Sequence, residues 1–356
     1  MNAPNDIRLM LVESATRLFN DHVDQKVLEA AKRDGWSDTL WHALEQAELP
    51  RVSLPEEAGG AGGTLSDLAA VLQVAGRFSA PVPLAETAML GGWMLAASGL
   101  PVPRGPLAAG PVRDGIVSAR RDGSRWIISG TLARVPWARM AKRLVLLAQG
   151  EGGGAVVSVD PARCAIRPGH NLALEPRDDV ILDNVVAEDA APAGASVTRT
   201  ALRLRGALAR SLLMAGALER ALEHSVRHAQ ERVQFGRKIG QFQAIQQELA
   251  RFAGEVAAAV AAAMSAAGAV ERGGDVTLAV ASAKIRTAEA AREGALIAHQ
   301  VHGAIGVTDE YALHHSTLRL WAWREEFGNE AEWAMALGRL MHKRGADQLW
   351  PALTTN

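Results

Sequence analysis

The stretch Arg232-Val-Gln-Phe-Gly-Arg-Lys-Ile-Gly-Gln-Phe-Gln243 decides how this sequence is read. It stands between two long helical patterns. Before it, Leu204, Leu208, Leu212, Ala215, Leu218, Leu222, Val226 and Ala229 form one apolar stripe at helical spacing. After it, an Ala-rich pattern runs from about Phe242 to Val270. Gly236 and Gly240 lie between the two patterns, so the stretch predicts the loop that joins two helices. Gly273-Gly274 ends the second helix, and Asp275 can cap a third that reaches toward His302. Gly303 and Gly306 make the next break. A fourth helix follows Asp309 and is interrupted at Gly328-Asn329. Four long helices with short connections predict an antiparallel bundle over residues 197–356.

Upstream the texture changes twice. Residues 101–196 carry short β-prone runs at 125–129, 143–149, 155–159 and 180–187, separated by Gly, Pro, Asp and Asn. Val180, Leu182, Asn184 and Val186 alternate along one face. These residues predict a central antiparallel β-domain. Residues 1–100 are helical, with Leu9, Val12, Ala15 and Leu18 at spacings of three. A Gly-rich break, Leu54-Pro-Glu-Glu-Ala-Gly-Gly-Ala-Gly-Gly63, interrupts them, and Asp67 is placed to cap the helix that follows. The fold class is therefore α+β and multidomain: an N-terminal helical domain, a β-domain and a C-terminal four-helix bundle.

Composition narrows the partners. The net charge of −1 across 356 residues favours neither nucleic acid nor an anionic membrane surface. A single cysteine, Cys164, excludes a disulfide within the chain and fits a reducing compartment. The longest apolar stretch, 256–270, is flanked by charge and reads as a packed helix instead of a membrane span. With no leader pattern at the start, a cytoplasmic location is expected.

The motifs add a family. Arg232-x-x-Phe235-Gly236-x-x-Ile239-x-x-Phe242-Gln243 resembles a segment of the acyl-CoA dehydrogenases at the end of the bundle's first helix. Gln300-x-x-Gly303-x-x-Gly306 resembles that family's Gln-x-x-Gly-Gly-x-Gly loop, and Pro55-Glu-Glu-x-Gly59-Gly60 resembles a loop of its N-terminal region. The resemblance implies FAD as cofactor, with Arg232, Phe235, Gln243, Gln300 and Gly303 reaching the FAD of a neighbouring subunit. The residue types suit that task. A guanidinium binds a pyrophosphate through forked, charge-assisted hydrogen bonds. Phe235 offers apolar surface, Gln243 both donates and accepts, and glycine after Gln300 lets backbone approach closely. The resemblance also implies an oligomer, an acyl-CoA substrate and an electron-transfer flavoprotein as electron acceptor.

The departures from the family pattern matter as much. Members remove the α-proton of an acyl-CoA thioester with a carboxylate while hydride leaves the β-carbon for flavin N5. Aligned on Gly328, Phe327 stands where many members carry that Glu, and Asn329 stands in place of a Thr. The alternative base position, on the bundle's first helix, falls near Gly206, beside Arg205. Glu325 and Glu326, the neighbouring carboxylates, are the remaining candidates for that base. One residue along a helix turns a side chain by about 100°, so this acidic stretch reads as a solvated face and the catalytic base stays unassigned. The family's flavin-contacting Trp-x-Thr strand aligns with Arg134-Val135-Pro136, with Trp137 one residue beyond. The Ser/Thr-rich loop before that strand is replaced by the apolar residues 101–117.

These departures resemble short bacterial members that work as mixed assemblies on bulky CoA thioesters, including sterol fragments. Three functions stay open: an acyl-CoA dehydrogenase, a non-catalytic companion subunit that completes a partner's FAD site, and a flavin-dependent monooxygenase or oxidase of the same fold. The partner subunit is a copy of the chain or a second family member. His299, His302, His314 and His315 lack metal-ligand spacing with an acidic partner, so no metal is expected. Gly152-Gly-Gly154 lacks a following Lys-Ser/Thr and reads as a turn. Trp321, Trp323 and Trp333 read as core or interface.

Overall fold

A computed structural model describes residues 3–111, 115–150 and 152–354. Helices α1 (Ala3–His22), α2 (Gln25–Asp34), α3 (Asp38–Gln46), α4 (Leu65–Arg77) and α5 (Gly92–Ala97) form the N-terminal region. A π-helical turn, Glu86–Gly91, leads into α5. The start of α4 differs from expectation. Thr64, not Asp67, is the N-cap, and Asp67 sits three residues in as the reciprocal member of a capping box. That arrangement satisfies two helix-end N–H groups where one cap would satisfy one.

The β-domain comprises β1 (Leu107–Gly110), β2 (Val117–Asp122), β3 (Arg125–Pro136), β4 (Arg143–Gly150), β5 (Gly153–Val159), β6 (Ala165–Arg167), β7 (Arg177–Val186) and β8 (Asp189–Pro192). Their order across the sheet is β6-β7-β3-β2-β4-β5-β8, with β1 alongside β4. The sheet is mainly antiparallel, but β1 and β2 each pair with β4 in parallel, so it is mixed. Of the apolar stretch 101–117, residues 107–110 form β1, while 112–114 lie outside the described residues. The alternation expected along β7 fails at Asn184. Its backbone is left-handed (φ 51°), a bulge shifts the register against β3, and Val185 instead of Val186 is buried.

The bundle consists of α6 (Arg199–Glu231), α7 (Gln243–Arg272), α8 (Thr277–His302), α9 (Leu313–Arg324) and α10 (Glu330–Arg344). One apolar core runs from the N-terminal helices through the bundle, and a second fills the β-domain. Two glycines bring α4 and α6 into backbone contact. A Cβ at Gly76 would strike the carbonyl of Leu213, and one at Gly216 the carbonyl of Gln73. This docking fixes α6, and hence Gly206 and Arg210, against the N-terminal helices.

Candidate functional site

The expected fourth bundle helix is two helices joined by residues 325–329, and that break makes the site. Phe327 is left-handed (φ 56°) and Gly328 likewise (φ 96°), so the chain cannot continue α9. Asn329 restarts it as the N-cap of α10, accepting from the Glu332 N–H. Lys284 of α8, wholly buried, donates to the carbonyls of Arg324 at 2.6 Å and Gly328 at 2.9 Å. The Trp333 indole donates to the Phe327 carbonyl at 3.1 Å. Held in this way, Phe327 points inward and is only 2% exposed. Its ring lies directly against Gly206 of α6, where a Cβ would overlap the ring atoms. The two positions where a base stands in relatives therefore face each other, in contact, and neither is a carboxylate.

Beside this contact runs a buried ionic network that joins all three regions. Arg210 of α6 pairs with Glu86 at 2.5 Å and with Glu326 at 2.6 Å. Arg177 at the start of β7 pairs with Glu326 at 2.7 Å and Glu175 at 2.9 Å. Arg319 of α9 pairs with Glu175 at 3.0 Å, and the Trp323 indole donates to Glu175 at 2.9 Å. Three carboxylates thus balance three guanidiniums. Buried charge is tolerable only when saturated with opposite charge and hydrogen bonds. Glu175 also accepts from Asn171 at 2.9 Å, as does Glu326 at 3.3 Å.

The reading of residues 325–332 as a solvated face is therefore corrected for Glu326. Its side chain is 11% exposed against 51% for Glu325. The physical reason is the break after α9, which turns Glu326 inward toward two guanidiniums. Burial works against its ionisation, but Arg177 and Arg210 prevail and hold its carboxyl down to about 2. So acidic a carboxylate, with its oxygens engaged by arginine, is a poor proton acceptor. Lys284, next to it, is pulled by burial down to about 7, although Glu326 draws it upward.

The network also reaches the strand end that contacts flavin in relatives. The Arg177 guanidinium stacks over the Trp137 ring at 4.8 Å and from there extends to Glu326. The backbone donors of this strand end are already used. The Arg134 N–H bonds Asp179 at 2.9 Å, the Trp137 N–H bonds the Pro176 carbonyl at 3.1 Å, and Pro136 has none.

The other end of the bundle is open. The segment after α6 forms a hairpin, β9 (Val233–Gln234) with β10 (Arg237–Lys238), turned by Phe235 (φ 53°) and Gly236 (φ 77°). Two successive left-handed residues make the tight turn that hairpins favour. It displays Phe235, 93% exposed, edge-on to Phe242, over which Arg237 stacks at 4.0 Å. Arg232 caps α6, and among the described residues its guanidinium has no hydrogen bond or ion pair; Gln243 is exposed at the start of α7. Gln300 and Gly303 stand exposed at the end of α8, on the same end of the bundle, because His228 of α6 stacks on His302 of α8 at 4.5 Å. All five proposed cofactor residues thus lie toward one end of the bundle. Among the described residues the Arg232 guanidinium there is unpaired, and its charge and forked donors suit a pyrophosphate.

The tertiary structure also gathers Glu29, His314 and His315, whose ligand atoms lie within 4.8 Å of one another. The Lys32 ammonium lies among them, 2.9 Å from Glu29 and from His314 Nε2. Sequence reading missed Glu86, Glu175, Arg177 and Arg210. Arg210 carried a signal: it falls between Leu208 and Leu212 in the apolar stripe of α6, as Glu86 does in an apolar run. A charge at a core position needs a buried counter-charge.

Comparison with known proteins agrees with this architecture. The descriptions "Acyl-CoA dehydrogenase, N-terminal domain" and "Acyl-CoA dehydrogenase, C-terminal domain" match residues 5–101 and 193–330. This chain belongs to the acyl-CoA dehydrogenase family. Among its relatives in the family, acyl-CoA dehydrogenase IpdE2 of Mycobacterium tuberculosis is 29% identical over 314 residues, covering 87% of this chain and 90% of that protein. Acyl-CoA dehydrogenase FadE27 of the same organism is 28% identical, covering 77% and 80%. Among solved structures, a Tcur3481–Tcur3483 steroid ACAD variant superposes with a TM-score of 0.85 at 28% identity, covering 96% of this chain and 99% of that one. The ChsE4–ChsE5 complex from Mycobacterium tuberculosis has the same fold, with a TM-score of 0.86 at 24% identity over 95% and 97%.

Proposed function

We propose that this chain is the companion subunit of a two-subunit, FAD-dependent acyl-CoA dehydrogenase. The observation that carries the proposal is the contact of Phe327 with Gly206, which leaves no carboxylate at either base position and fills the space between them. In this reading the partner is a second family member that supplies the base and an open cleft. FAD, when bound, accepts the hydride from the β-carbon of the thioester. This chain contributes the exposed end of its bundle. Arg232 pairs with the pyrophosphate, Phe235 packs beside the nucleotide, and Gln243, Gln300 and Gly303 bond its polar edges. Electron-transfer flavoprotein is the proposed acceptor. Relatives described as a steroid ACAD and as a two-protein complex support a bulky CoA thioester substrate and a mixed assembly. A monooxygenase or oxidase also needs no α-proton base, but the exposed Arg232, unpaired among the described residues, suits the pyrophosphate of a dinucleotide, which FMN lacks.

The test is to purify the chain alone and together with a co-expressed family member that carries the base. The chain alone should be colourless and inactive with acyl-CoA. The assembly should be yellow, contain less than one FAD per chain, and bleach anaerobically with substrate. A yellow, active homo-oligomer would refute the reading.

A further inference from the structure

At the seam between α2 and α9 the Lys32 ammonium sits inside a ring of four groups that could each ligate a metal. It donates to Glu29 at 2.9 Å and to the Asp309 carboxylate at 3.4 Å, and lies 2.9 Å from His314 Nε2. His314 Nδ1 lies 2.8 Å from the Tyr311 carbonyl. A carbonyl only accepts, so the ring proton is on Nδ1 and the Nε2 lone pair faces the centre. His315, only 3% exposed, completes the ring. Its Nε2 comes within 3.4 Å of Glu29 yet has no hydrogen-bond partner among the described residues. An ammonium has three protons, so it serves three acceptors and leaves the fourth group out. The acidic partner that the two histidines lack in sequence comes from α2.

The spacing of these atoms is that of a metal's coordination shell. Tetrahedral zinc, with bonds of about 2.0–2.1 Å, holds its ligand atoms about 3.4 Å apart. Here Glu29 and His315 Nε2 are 3.4 Å apart, Glu29 and His314 Nε2 3.7 Å, and His314 Nε2 and Asp309 3.7 Å. The Lys32 side chain keeps 18% exposure and that of Asp309 88%, so the ammonium has a path out to water and the carboxylate is free to close on a metal. A dication balances both carboxylates, where the ammonium balances one. Two imidazoles with two carboxylates suit zinc, whereas magnesium takes an octahedron of oxygens.

We propose that Glu29, Asp309, His314 and His315 form a zinc site, with Lys32 as the internal cation that zinc displaces. The bound metal joins α2 to α9 and so ties the N-terminal region to the bundle. It uses none of the residues assigned to FAD, and it stands whether or not the chain is a companion subunit.

Calorimetric titration of the chelator-treated, full-length protein with zinc and with magnesium ions tests the site. Zinc should bind saturably, one per chain, and raise the melting temperature; magnesium should do neither. Lys32→Met should bind zinc roughly tenfold more tightly, because no ammonium then competes for the carboxylates. Glu29→Gln and His314→Gln should each weaken zinc by roughly tenfold or more. Thermal melting without metal checks that each variant keeps its fold. No saturable zinc binding to the unsubstituted protein, or equal binding of magnesium, would overturn the proposal without recourse to any variant. So would unchanged zinc affinity in folded Glu29→Gln and His314→Gln proteins, or in Lys32→Met.

Discussion

The ring of Phe327 rests on the backbone of Gly206, from a loop 121 residues further along the chain (327 − 206), with no room for a Cβ between them. Phe327 reaches that place through a left-handed backbone that Lys284 and Trp333 secure from opposite sides of the loop. The contact accounts for the glycine at 206.

Gly206→Ala is expected to destabilise the protein by about 1–3 kcal/mol, the usual cost of forcing atoms into a packed site. Phe327→Ala is expected to cost about 3–5 kcal/mol for removal of a buried ring. The double variant should lose less than the sum, because the ring that obstructs the new methyl is gone. Urea unfolding of the four proteins measures the coupling. Strict additivity would show that ring and backbone do not touch.

Glu326→Gln leaves Arg177 and Arg210 short of a counter-charge in a buried site, at a cost of about 3–5 kcal/mol. The same change should alter the response to acid. The Glu326 carboxyl is held at about 2 in the folded chain against an ordinary 4.5. Its stabilisation is therefore complete above the ordinary value and is lost as pH falls toward the folded one. Between roughly pH 5 and pH 2, the unsubstituted protein should weaken more steeply than Glu326→Gln. Equal acid slopes in urea titrations would contradict the pairing.

Lys284 predicts a slope of the same sign on the alkaline side. Its folded value is about 7 and its ordinary value 10.5, so the unfolded chain holds more protons in between. Stability should therefore rise with pH across that window. Lys284→Met should abolish this rise and cost about 1–3 kcal/mol by stranding the buried carbonyls of Arg324 and Gly328. Denaturant midpoints measured from pH 7 to pH 10 would decide it. A slope that persists in the Met variant would assign the effect elsewhere.

Arg232→Ala should leave unfolding unchanged to within about 0.5 kcal/mol, because the side chain is exposed and its charge pairs with nothing among the described residues. In the proposed two-subunit assembly it should lower the flavin retained after gel filtration. Flavin absorbance per protein mass provides the readout. Full flavin content in the variant would remove Arg232 from the cofactor site.

Much of this architecture is legible in the sequence because it is local. The apolar stripe from Leu204 to Ala229 repeats every three or four residues and is α6, and Gly273 and Asp275 mark where α7 stops and α8 begins. Phe235 sits at the turn of a hairpin whose turn residues are adjacent in the chain, with Arg232 just before it at the end of α6 and Gln243 just after it at the start of α7, so their exposure follows from short-range geometry. The bulge at Asn184 was not legible, since a register shift is set by the neighbouring strand.

By itself, the sequence determined which segments coil into helices, which extend into strands, and that neither Phe327 nor Gly206 is a base. Only the tertiary structure decided that these two residues close on each other, and that Glu326 is a buried anion instead of a solvated one. The physical reason is the range of the interactions. Helical periodicity is written in residues a few positions apart, whereas Glu86, Arg177, Arg210 and Glu326 come from four distant segments. Their charges become tolerable in a dry interior only when folding brings all of them together.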